Sequence, residues 1–345
     1  MNTLSRICLS REVRGCRESQ VNRCGQRPIA VIACCAVAFF SSLPLTAQST
    51  PGQKLTDAYR LEREGKPASA ISELEALLDS KALDPAGIAK AWNVLGLAFE
   101  DQGDFSASRH AFEQSLQAYE GLPDHALDEA MTLDDFGEFY VVTGQIDLAL
   151  KMMKRALRLY ETANDHAGMA RASGDLAGAL FTGKKIREGR KDLDRALKES
   201  QLTNELDDDD LATLSFLQGW LAQNDGDLRT CVEKYQQSLD LLRKYHGEEH
   251  TSTGWGYVLL GRALAETGDL TGSLKEMDTG LAILSHTLNH QDPRFLTAEI
   301  AYSRVLDKAG RRSEAALLRT KAEQELNTVR ENQCLDCTVS AKAFR

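Results

Sequence analysis

The stretch Trp92–Leu116, WNVLGLAFEDQGDFSASRHAFEQSL, decides the fold of the chain. Apolar residues on both sides of Gly103 recur at helical spacing, so the stretch reads as two helices joined by a short turn. Gly103 stands where the first helix must end, in a left-handed conformation that glycine adopts at little cost. Gly96 lies mid-helix, where it costs about 1 kcal/mol against alanine. That cost is offset if the missing side chain lets the second helix approach closely, with Phe99 and Phe112 filling the space beside it.

The arrangement returns along the chain. Turns between helical runs centre on Gly65, Gly103, Gly144, Lys184 (with Gly183 before it), Gly226, Gly268 and Gly310, at intervals of 38, 41, 40, 42, 42 and 42 residues. A fixed period of this size marks a stacked array, in which each unit buries its apolar face on its neighbours. The stretch LDDFGEFYVVTGQIDLALKMMKRAL repeats the scheme with Gly137, Tyr140, Gly144, Ala149, Met153 and Ala156. YVLLGRALAETGDLTGSLKEMDTGL repeats it with Gly261, Leu264, Gly268, Ser273, Met277 and Gly280, and the fifth unit with Gly219, Gly226, Cys231, Tyr235 and Ser238. Two units are looser: Ala177 and Ser303 replace the mid-helix glycine, and Arg319 takes the place of Phe112 in the last.

Trp92, Leu95, Gly96, Phe99, Gly103, Ser108, Phe112 and Ser115 follow the pattern W-x2-L-G-x2-Y, a turn Gly, then A-x3-F-x2-A. On these residues the chain resembles the tetratricopeptide repeat family, over roughly residues 53–327. The period exceeds that family's usual ~34 residues by about eight. In this, and in RKYHGEEHTSTGWGYVLLGRALAETGD with its His before a first helix, the chain resembles the kinesin-light-chain-like subgroup. The resemblance implies an all-α, right-handed superhelical solenoid of about seven helix hairpins, with first helices lining a concave face. It also implies a protein or extended peptide as partner. Relatives that hold chaperone tails use a Lys and an Asn four residues apart on the first helix. The equivalent pairs here, Asn93/Leu97, Asp134/Glu138 and Phe216/Trp220, do not match, so that ligand is not expected.

The N-terminal segment is of another kind. Six arginines precede an uncharged apolar run from Ile29 to Leu45 that ends in small residues, which predicts a secretory signal over residues 1–47 with cleavage after Ala47. An uncleaved membrane anchor and a lipoprotein modified at Cys34 are the alternatives. Cleavage would remove six of the 41 basic and two of the 51 acidic residues, leaving a net charge of −14. Phosphate backbones and anionic lipid repel such a surface, so neither nucleic acid nor membrane is expected as partner, apart from a retained N-terminal segment. The array is placed at residues 48–330 and a tail with Cys334 and Cys337 at 331–345. Thr338 stands where haem attachment requires His, and no second ligand pair for zinc follows. In an exported protein the two cysteines are expected to form a local disulfide, or one of them to bond a partner chain.

No P-loop, nucleophile elbow or H-E-x-x-H helix is present. No catalytic residue, cofactor or metal is therefore expected. His125, His166 and His250 recur at one position of the repeat, with Asp292 in the same place, and read as helix starts rather than zinc ligands. The run Asp207–Asp210 reads as a helix N-terminus, where carboxylates cap and meet the dipole favourably. Cys231 occupies a small-residue position and reads as buried.

The remaining functional surface is the inner face. Residues at i, i+3 and i+7 of a first helix share a side, which selects Asn93, Asp134, Glu138, Arg171, Phe216, Trp220, Trp255, Arg262 and Arg304 as candidate peptide contacts. The two tryptophans with nearby arginines form a candidate hot spot, the alternative being that they pack between repeats. The expectation is an exported, non-catalytic scaffold binding a peptide or protein segment on its concave face. The competing expectation is an architectural subunit of an envelope or secretion assembly that uses the convex face or the solenoid ends.

Overall fold

The computed structural model describes residues 49–332. The expected signal segment and the Cys334–Cys337 pair lie outside these residues. Fourteen α-helices form seven hairpins among the described residues. They are α1 (Pro51–Arg63) with α2 (Pro67–Asp79), α3 (Pro85–Gln102) with α4 (Phe105–Tyr119), α5 (Ala126–Val142) with α6 (Ile146–Ala163), and α7 (His166–Thr182) with α8 (Ile186–Ser200). The last three are α9 (Asp208–Asp225) with α10 (Leu228–His246), α11 (Thr251–Thr267) with α12 (Leu270–Thr287), and α13 (Pro293–Lys308) with α14 (Arg312–Asn332).

Each hairpin turns at the position expected from the repeat. All seven turn residues have positive φ, Lys184 at 61° among six glycines. The amide after each one reaches back to the carbonyl five residues earlier, as Asp104 does to Phe99 and Asp227 to Ala222, which satisfies a helix-end acceptor. In three turns the glycine is followed by an aspartate that caps the second helix: Asp104, Asp227 and Asp269 accept from the backbone N–H three residues on. One Gly-Asp dipeptide therefore ends one helix and starts the next.

Close approach within a hairpin explains the mid-helix glycines. A Cβ on Gly96 would lie 2.7 Å from the Phe112 ring, on Gly137 2.6 Å from Met153, and on Gly219 2.6 Å from Tyr235. In the fourth unit the roles are exchanged. Ala177 fills the first-helix position, and Gly189 on the facing helix leaves the room, its absent Cβ 2.6 Å from Phe181 and 3.0 Å from the Ala177 carbonyl.

The helix starts also follow the sequence. Asp207 and Asp210 form a capping box on α9, while Asp209 pairs with His246 and Asp208 with Lys244. His250 accepts from Ser252 N–H through Nδ1 at 3.2 Å, and Asp292 accepts from Arg294 N–H. Cys231 is buried, and burial pushes its thiol up to about 11.

Each second helix packs on the first helix of the next hairpin, and first helices touch one another at α1–α3, α3–α5, α5–α7, α7–α9 and α11–α13. The first helices thus form the inner row. Their curvature brings the two ends of the array together. Arg294 of α13 donates through Nη2 to the main-chain oxygen of Asp101 in α3 at 2.9 Å, and its Nη1 stands 3.5 Å from the Asp101 carboxylate. Nearby, the Arg63 guanidinium lies 4.4 Å from the centre of the Tyr245 ring. Gly65 backs onto His250, whose ring would stand 3.6 Å from a Cβ there.

Candidate functional site

The inward stripe separates into two regions of different chemistry. The first is polar and spans α3, α5, α7 and α9. Asn93 donates through Nδ2 to Asp135 at 2.7 Å, and Arg171 pairs with Asp210 at 3.2 Å with both side chains buried. Asp134 and Glu138 are held well above the usual carboxylate range, first by burial and then by the charge of Asp175, with which both are hydrogen-bonded. Two carboxylates share a hydrogen bond only when one carries a proton. Burial also pushes Asp210 up to about 7, against the pull of Arg171. Burial works against the Arg171 charge in turn, and Asp210 outweighs it. This network ties successive first helices to each other through proton-sharing acids and one buried ion pair.

The second region is apolar and lies where the array closes. A cavity of about 50 Å³ is walled by Phe216, Tyr235, Leu242, Trp255 and Leu259, with Thr251, Ser252 and Arg294 at its edge. A second cavity of about 60 Å³ adjoins it across the same Thr251, Ser252 and Arg294. Its walls are polar and come from both ends of the array: Glu62, Arg63 and Asp101 on one side, Asp209, Tyr245, His246 and His250 on the other. His246 stacks on His250 at 4.0 Å and holds Asp209 through Nε2 at 2.8 Å. Arg294 is fixed by Asp292, which accepts from its Nε and Nη2, and stays charged because the Asp292 and Asp101 carboxylates outweigh its burial. The first chamber thus offers an apolar lining and the second a polar one, with Arg294 at the boundary of both.

The nine residues of the inward stripe therefore have different fates. Asn93, Asp134, Glu138 and Arg171 meet in the polar network, and Phe216 and Trp255 line the apolar chamber. Trp220 stacks face to face on Phe181 at 4.5 Å, which makes it packing between the fourth and fifth hairpins. Arg262 is half-buried and acts electrostatically on Cys231 and Tyr235, while Arg304 is exposed. Asp135, Asp175, Asp210 and Arg294 escaped the spacing argument. Asp210 and Arg294 stand nine residues before the mid-helix small residue of their units, one turn ahead of the stripe's assumed start. Extending the same i, i+3 spacing one step toward the helix N-terminus finds them both.

Among the described residues, no group of three or more His, Cys, Asp or Glu is placed to hold a metal ion. No helix among them is long and apolar enough to cross a membrane.

Residues 87–162 match the family model of the tetratricopeptide repeat. No curated protein matches the chain in sequence. Of solved structures, the apo form of RapI is 11% identical with a TM-score of 0.56, the match covering 81% of this chain and 99% of that one. A Rap protein complexed with competence and sporulation factor is 12% identical with a TM-score of 0.55, covering 81% and 98%. The apo form of the quorum sensor NprR from B. thuringiensis is 13% identical with a TM-score of 0.52, covering 81% and 82%. At these identities the likeness is one of fold. Residues 87–162 thus carry the tetratricopeptide repeat, and a helix hairpin of the same form recurs from Pro51 to Asn332.

Proposed function

We propose that the chain is an exported, non-catalytic scaffold that takes a peptide or protein segment into the interior of its superhelix. The carrying observation is the pair of adjoining chambers, one walled by Phe216 and Trp255 and the other by charged and polar groups. Aromatic side chains in a concave, desolvated pocket supply most of the energy in peptide recognition, and polar groups beside them fix register. Stacked helices hold the aromatic wall rigid, so little ordering entropy opposes binding there. The Rap protein of the same fold, seen complexed with competence and sporulation factor, supports the reading by analogy. Export rests on the basic, then apolar, then small-residue order of residues 1–47.

The use of a solenoid end as an assembly surface receives less support. Among the described side chains of α14, Leu317 is the one large apolar residue left exposed. Selection of displayed peptides on the full chain tests the proposal. Selected peptides are expected to lose binding to a Phe216→Ala, Trp255→Ala double variant that keeps its helical circular dichroism. They should keep binding to Arg304→Ala. Undiminished binding to the double variant would sink the interior site. Mass spectrometry of the exported protein is expected to find an N-terminus at Gln48.

A further inference from the structure

We propose that the Arg294–Asp101 contact is a latch that holds the superhelix closed, and that it opens and recloses as a unit. The closure differs in kind from the rest of the molecule. Consecutive hairpins share buried apolar clusters: one joins the first two hairpins, another the second and third, others the third and fourth, the fourth to sixth, and the sixth and seventh. No cluster among the described residues combines side chains of the first two hairpins with those of the last three. Among the contacts that cross that seam are the Arg294 contact, the Arg63 guanidinium over Tyr245, and the approach of Gly65 to His250, and each of these involves a charged or polar side chain. A seam without an apolar core exposes less hydrocarbon on separating than a hairpin interface does, so its free energy of opening lies below that of the hairpin interfaces.

Both partners can separate at low cost. The Arg294 guanidinium remains paired with Asp292 on its own hairpin at 2.8 Å after Asp101 leaves. The Asp101 main-chain oxygen belongs to the last turn of α3, where no intrahelical donor is available and water can replace the arginine. Arg294 lines both chambers. Opening the latch therefore uncovers the two together, and closure restricts entry. This gating rests on the interior-binding proposal, whereas the latch itself does not.

Small-angle scattering on the full chain, with and without Asp101→Lys, tests the latch. The substitution sets a like charge against Arg294, yet a cation near the end of α3 suits that helix. The variant is expected to keep its helical signal and to show a larger radius of gyration and maximum dimension. Arg63→Ala should shift both in the same direction, and is read in place of Asp101→Lys if that variant loses its helices. Wild-type scattering in a folded variant would overturn the latch. If the closed form holds about nine-tenths of the population, both expanded variants, which alter different groups of the polar chamber, bind a selected peptide about ten-fold more tightly. An expanded variant with unchanged affinity would overturn the gating alone. If no peptide is selected at all, the interior-binding proposal fails while the scattering result still decides the latch.

Discussion

Arg319 donates from Nε to the Ser303 hydroxyl across 3.2 Å, so the two side chains that break the repeat pattern in the last unit meet each other. In the other units these positions hold a small residue and a packed apolar side chain, as at Gly96 and Phe112. The last hairpin keeps the geometry and changes the chemistry. A double-mutant cycle of Ser303→Gly and Arg319→Phe is expected to give a coupling of about 1 kcal/mol. The double variant should be more stable than the sum of the singles predicts. Additive urea-unfolding free energies would show that the two positions are independent.

Two glycines on first helices should respond oppositely to alanine. At Gly96 a methyl would sit 2.7 Å from the buried Phe112 ring, whereas at Gly178 the nearest atom, on Leu217, is 3.5 Å away. Overpacking costs about 1–3 kcal/mol and outweighs the ~1 kcal/mol gained in helix propensity at Gly96. Gly178→Ala keeps the propensity gain. Denaturation midpoints should fall for Gly96→Ala and rise for Gly178→Ala.

Lys184 is the turn residue that is not glycine, exposed and held at φ 61°. The left-handed conformation costs an L-residue roughly 1–2 kcal/mol, part of which glycine returns through its more flexible unfolded state. Lys184→Gly should stabilise by about 0.5–1 kcal/mol, measured by urea unfolding. Lys184→Ala should leave stability close to wild type, since it retains the strained Cβ.

The polar network makes stability depend on pH. Asp134 and Glu138 have folded-state pKa values raised above the unfolded ones, chiefly by burial, and Asp210 is raised to about 7. A raised acid binds its proton more tightly when folded. Its contribution is complete below the unfolded value near ~4 and is lost as pH climbs through the folded value, at about 1.4 kcal/mol per unit for each group. Melting temperature should therefore fall between about pH 5 and about pH 8. Asp134→Asn and Glu138→Gln, which keep a polar group of the same size, should flatten that fall. A wild-type melting temperature independent of pH over this range would contradict the assignment.

Much of the fold was legible because each cause is local. Gly103 followed by Asp104 is both stop and start, and the spacing of Gly96 to Phe112 states a contact within one hairpin. Even the irregular Lys184 lay where the period required a turn. The sharing of the inward stripe between network and chamber was not legible. Asn93 and Phe216 occupy the same position of their units, yet one bonds to Asp135 and the other walls the apolar cavity. Which outcome follows depends on the neighbouring helix. The Arg294–Asp101 contact was further out of reach, because it sums five small rotations between hairpins, none of which leaves a mark on any single unit.

That contact has a consequence for growth of the array. An open stack can gain or lose a unit by duplication or deletion with little penalty, since each end simply moves. Here the arginine of the last hairpin finds the aspartate of the second only when the intervening units add up to the right angle and rise. Inserting or removing one ~40-residue unit would carry the two residues past each other. The contact thus fixes how many hairpins stand between its two residues, in the way that a closed barrel admits only certain strand counts.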